Sequence, residues 1–221
     1  MKKDFFTADY TQGQLNAFVK KLAEQSGYED VVEKVLCNEI TFSVASKPWS
    51  EKDGYIDFGE LVAPGWTAKE WEAELIKGGH KLSDWTKDVL SKPDFDENHR
   101  YPAGTKLHVV VIRGKQIQKD SERTTSNLKA LGSQKFGEKA VSELKAELSL
   151  MLRLKYSNKD LEKMDLVYIG TLSKPIIDSD GDSDVLVLSR HDDKSWVLTD
   201  WDNPSDYWFD NGGFAFLQVS V

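Results

Sequence analysis

Apolar residues recur along this chain with two periods, and the switches between them mark out the elements. Thr11-x-x-Gln14 has the spacing of a capping box. It opens a helical run of Leu15, Phe18, Val19 and Leu22 that stops at Ser26-Gly27. A second short helix is expected over Glu29–Leu36, followed by an alternating strand at Ile40–Val44. Asp53-Gly54 then leads into Tyr55–Phe58, so these two strands are expected to form a hairpin. Between Gly65 and Phe95 the period returns to that of a helix, begun by Thr67-x-x-Glu70, broken at Gly78-Gly79 and resumed at Ser83. Trp71 and Leu75 share one helical face and Trp85 and Val89 another, which predicts that the two tryptophans close one core.

Pro102-Ala103-Gly104 turns the chain into Lys106–Arg113, a continuous apolar run typical of an interior strand. His108 within it is expected to be a hydrogen-bonded core histidine. The polar stretch Lys115–Thr125 suggests a division into 1–114 and 115–221, although one continuous domain fits as well. Val141, Leu144, Leu148, Met151 and Leu152 predict one helix over Lys139–Lys155, with a further turn capped at Asn158. Strands follow at Leu166–Gly170, Val185–Ser189, Ser195–Thr199 and Phe214–Val219. The fold class expected is α+β: N-terminal helices and a helical hairpin packed with short strands, then a C-terminal antiparallel sheet.

Charge changes this picture at one end of the chain. The 221 residues carry a net charge of −8, and the window Asp178–Asp210 holds ten Asp, no Glu, one Arg and one Lys, so the remainder is neutral. Phosphate backbones need basic surfaces, which argues against nucleic acid as a partner. No apolar stretch approaches the roughly 20 residues that span a bilayer, and Met1–Phe6 leads into no apolar segment, so a cytoplasmic protein without membrane partners is expected. Cys37, the single cysteine, excludes an intramolecular disulfide and reads as a structural thiol rather than a nucleophile. Nothing in the pattern sets an oligomeric state.

Two constellations within the acidic window carry candidate chemistry. Asp178, Asp180, Asp182 and Asp184 alternate as the ligands of a hard cation do, which makes Ca²⁺ the one cofactor to consider; a solvated acidic turn explains the same residues. The loop departs from an EF-hand, with Ser183 where glycine is needed and Ser189 where glutamate is needed. The second constellation interleaves rings with Asx residues, and Trp196, Trp201, Asp202, Asn203 and Trp208 are its candidate ligand-binding residues. The alternative is a loop region pinned by aromatics.

Ser195-Trp196, Trp201-Asp202-Asn203-Pro204 and Asp210-Asn211-Gly212-Gly213-Phe214 resemble the C-terminal signature of C-type-lectin-like folds, including the formylglycine-generating sulfatase-modifying group. The resemblance covers about thirty residues and implies that this stretch closes a small antiparallel sheet and sets Asp202 and Asn203 near a Ca²⁺ or ligand site. It does not carry over a catalytic cysteine pair or the lectin disulfides, since Cys37 stands alone. The whole chain, through Arg123-Thr124-Thr125, Pro175–Asp182 and Gly213–Phe216, is also similar to uncharacterised bacterial proteins, a resemblance without functional content. With no phosphate loop, nucleophile elbow or zinc-binding helix motif, the leading expectation is a non-enzymatic module whose acidic and aromatic C-terminal face binds a protein or carbohydrate. The alternative is a metal-dependent hydrolase in which Asp178, Asp180, Asp182 and His191 converge.

Overall fold

The computed structural model describes residues 48–191, 194–203 and 206–218, together with Lys20, Lys21 and Glu24, which are helical. The chain divides into two compact units, Met1–Lys47 and Pro48–Val221. The elements expected at Leu15–Leu22, Glu29–Leu36 and Ile40–Val44, and Cys37, lie outside the described residues.

Within the second unit, strands and helices alternate unevenly. Strands β1 (Ser50–Lys52) and β2 (Tyr55–Val62) form a hairpin, followed by helix α1 (Ala68–Lys77), the short strand β3 (Lys81–Leu82), and helices α2 (Asp84–Ser91) and α3 (Pro93–Asn98). Strand β4 (Lys106–Arg113) precedes α4 (Thr125–Phe136), α5 (Lys139–Ser142), α6 (Glu147–Lys155) and α7 (Asn158–Lys163). Strands β5 (Tyr168–Thr171), β6 (Ile176–Ile177), β7 (Ser183–His191), β8 (Lys194–Trp201) and β9 (Gly212–Leu217) complete the unit. The strands form one mixed sheet in the order β1-β2-β4-β9-β5-β7-β8-β3, with β6 paired to β7. An α+β fold is thus observed. The separate C-terminal antiparallel sheet is not: β9 lies between β4, to which it is antiparallel, and β5, to which it is parallel. This pairing joins strands from either side of residue 114. At Gly212 an added Cβ would stand 2.1 Å from the Tyr168 ring, which would have to shift to admit it.

Local chemistry explains most of the elements. Asp53 and Gly54 both adopt positive φ between the paired Lys52 and Tyr55, the geometry of a two-residue hairpin turn. The hairpin partner is therefore β1, immediately before the turn. Thr67 and Glu70 make the expected capping box, and Ser83 caps α2. The tryptophan pairing fails, because α2 buries Thr86, Val89 and Leu90 and leaves Trp85 49% exposed. Trp71 packs edge-on against Trp66 instead, with ring centroids 4.8 Å apart.

The long helix expected over Lys139–Lys155 is two helices. The Tyr101 hydroxyl inserts between them, donating to the Glu143 carbonyl at 3.0 Å and accepting from the Lys145 amide at 2.9 Å. A tertiary side chain thereby takes hydrogen bonds that a continuous helix would make internally. The next carboxylate, Glu147, is fully buried and accepts from Trp71 Nε1 at 2.9 Å and the Tyr101 amide at 2.5 Å. His108 has its hydrogen bond, to Asp57 Oδ1 at 2.8 Å, but faces partly outward rather than into the core. No helix among the described residues is long and apolar enough to cross a membrane.

Candidate functional site

The antiparallel register of β7 and β8 sets Asp184 directly opposite Trp201 at one end of the sheet, and cross-strand pairs share a face. Helix α2 lies against the same strand, held by the Ser83 amide and Thr86 hydroxyl, which both donate to the Val197 carbonyl, at 3.3 and 2.9 Å. That anchor carries Trp85 to the mouth of a cleft of about 210 Å³ lined by Trp85, Asp178, Asp182, Asp184, Thr199, Asp200 and Trp201. No lining residue is basic.

The acidic turn forms one wall of this cleft through its own hydrogen bonds. Asp178 is buried, and its Oδ1 accepts from the amides of Asp180 and Asp182 at 2.9 and 2.8 Å, while Gly181 supplies a positive φ. Asp88 of α2 binds the turn from outside, accepting from the Ser179 amide and hydroxyl, and these bonds together with Lys92 hold its carboxyl below the usual range. Lys92 reaches both Ser179 and Asp88, so its charge is engaged at the rim.

Asp184 differs from its neighbours. It is only 7% exposed, it lines the cleft, and no donor among the described residues reaches its carboxylate. Burial first, then the charges of Asp178, Asp182, Asp200 and Asp88, push its carboxyl up to about 6. A largely covered carboxylate without a protein partner is disfavoured in its charged form, so this position works against stability at neutral pH.

A second cleft, of about 400 Å³, begins on the other side of Trp201. Thr125, Asp200, Trp201, Asn203, Asp206, Tyr207, Trp208 and Phe209 line it. Trp201, Tyr207 and Phe209 are all more than half exposed, and Asn203 Nδ2 donates to Asp206 at 3.1 Å. Asp202 donates its amide to Ser183 at 2.8 Å and has a buried Oδ1 without a partner among the described residues.

The expected site residues are therefore only partly brought together. Trp201, Asp202 and Asn203 cluster at one strand end. Trp208 stands behind them as a buried wall, its Nε1 donating to Thr125 and its ring packed on Tyr168 and Phe214. Trp196 is separate: five residues along an extended strand set it about 16 Å from Trp201 and on the opposite face, where it packs under Lys81. Of the four loop carboxylates, Asp178, Asp182 and Asp184 line the first cleft and Asp180 is exposed away from it. Among the described residues no group of three or more His, Cys, Asp or Glu is placed to hold a metal ion. His191 does not join the Asp-rich turn, since it ends β7 seven residues beyond Asp184, about 23 Å away in an extended strand.

Trp85 is the lining residue that sequence reasoning assigned to a core instead. The i, i+3, i+4 spacing of Thr86, Val89 and Leu90 is the signal that would have turned Trp85 outward, but threonine does not register as apolar. Comparison with known proteins finds no matching family model, curated protein or solved structure.

Proposed function

We propose that this protein is a non-enzymatic binding module whose acidic and aromatic face, at the ends of β7 and β8, engages a partner protein through a basic segment. The observation that carries this reading is Trp201, a 55%-exposed indole that lines both clefts and stands over carboxylates unmatched by any basic lining residue. Exposed aromatic anchors surrounded by charge of one sign suit recognition of a complementary chain. Catalysis gains no comparable support, because His191 and the acidic turn are far apart.

The test is retention of partners from a native cell lysate on immobilised wild type and on Trp201→Ala and Phe209→Ala, with folding checked by near-ultraviolet circular dichroism. Both variants are expected to lose specific capture, and wild-type capture is expected to weaken as salt rises. Undiminished capture by folded variants contradicts the reading. Capture that is insensitive to salt but competed by free glycans would favour a carbohydrate in the larger cleft, where Tyr207 and Phe209 lie beside Asn203 and Asp206.

A further inference from the structure

Within the binding face the two clefts differ in what they can recognise. The larger is lined mainly by aromatic rings, whereas the smaller sets two nearly buried carboxylates, Asp178 and Asp184, beside two exposed indoles. Asp184 cannot be explained as a structural residue. A carboxylate that caps a helix, closes a turn or pairs with a base has donors, as Asp178 and Asp88 do, yet none among the described residues serves Asp184. The charged groups facing it are Asp178 and Asp182 from the turn, Asp200 from β8 and Asp88 from α2, with Lys92 already bound to Asp88 at 3.1 Å.

A positive group is the complement, and the geometry selects its kind. Divalent metal ions need several carboxylate oxygens converging on one point, which the described residues do not provide. Indole faces attract an organic cation through the ring quadrupole. The cleft holds only about 210 Å³, and a compact ammonium on a flexible alkyl stem brings a smaller head into it than a planar guanidinium with five donors. Resting on the binding-module reading, we infer that the Asp184 cleft takes an alkylammonium group, the protonated lysine side chain of the partner, with its nitrogen at Asp184 and its methylenes beside Trp85 and Trp201.

The experiment titrates the ¹⁵N-labelled full chain with butylammonium, and separately with butanol and with Ca²⁺, following the indole N–H resonances. Butylammonium is expected to shift Trp85 and Trp201 saturably and to leave Trp196 in place, while butanol produces no saturation. Asp184→Asn should weaken butylammonium binding about tenfold, and Trp201→Ala about threefold. Asp180→Asn, at a carboxylate outside the cleft, should change it little. No saturable shift, equal response to butanol, equal affinity in Asp184→Asn, or saturation by Ca²⁺ alone each overturns the inference. Lysate capture that depends on Trp201 while butylammonium fails to bind leaves the module reading standing and removes the lysine. Butylammonium binding with capture indifferent to Trp201→Ala removes the partner, and the lysine source with it.

Discussion

Glu147 and Asp184 are two buried carboxylates in one fold with opposite surroundings. Glu147 is wholly enclosed but accepts hydrogen bonds from Trp71 and Tyr101, so it ties α1, the approach to β4 and the start of α6 into one joint. Asp184 is nearly as covered, meets no donor among the described residues and opens on a cleft walled by indoles. Burial raises the affinity of both carboxyls for a proton. The contrast teaches that burial does not distinguish scaffold from site, whereas satisfaction of the buried charge does.

The comparison is broken most severely at Glu147. Glu147→Ala strands the Trp71 indole N–H and the Tyr101 amide in the interior and is expected to lower stability by about 3 kcal/mol in urea unfolding. A loss below about 1 kcal/mol would mean that the joint is not structural. Asp184→Asn should act in the other direction. The folded state holds a proton on Asp184 up to about pH 6, while the unfolded chain releases it near pH 3.9, so the native state binds more protons between those values. Stability contributed by this group is therefore full below about pH 4 and is lost as pH rises through 6. The residue is largely covered but its carboxylate still faces cleft water, which screens part of the charge. Relative to wild type, Asp184→Asn should gain about 2 kcal/mol between pH 4 and pH 8. Parallel stability–pH curves for the two proteins would refute the unpartnered charge.

Smaller effects sharpen the contrast from the aromatic side. Trp71→Phe keeps most of the packing but removes one donor from Glu147, for an expected loss of about 1–2 kcal/mol. Trp85→Ala, at an exposed ring, should change stability by less than about 0.5 kcal/mol while weakening any ligand that stacks there. Thermal unfolding of the two variants side by side decides whether these tryptophans differ in role as they differ in exposure.

Elements governed by neighbours in sequence were legible from it. Thr67 with Glu70, Asp53-Gly54 and the apolar run Lys106–Arg113 act locally, and each is found where expected. Two of the failures share a cause, namely a contact from a distant segment. The Tyr101 hydroxyl divides α5 from α6, some forty residues along the chain. β9 inserts between β4 and β5, strands more than fifty residues apart in the chain, a pairing that no local pattern encodes. At the site, the acidic window and Trp201 were visible in composition, but their sorting was not. Strand register decides that Asp184 faces Trp201 and that Trp196 does not, and α2 brings in Trp85 from a hundred residues away.

The claim on which the rest depends is that Asp184 carries an unmatched negative charge poised for a cation. Its side-chain carboxyl can be followed directly by carbon-detected magnetic resonance as pH is varied, with and without butylammonium. The account predicts a midpoint at about 6 for the protein alone, moving to lower pH as butylammonium saturates the cleft, because the cation binds the ionised form. A midpoint near the ordinary aspartate value of about 3.9, unmoved by the amine, would contradict it.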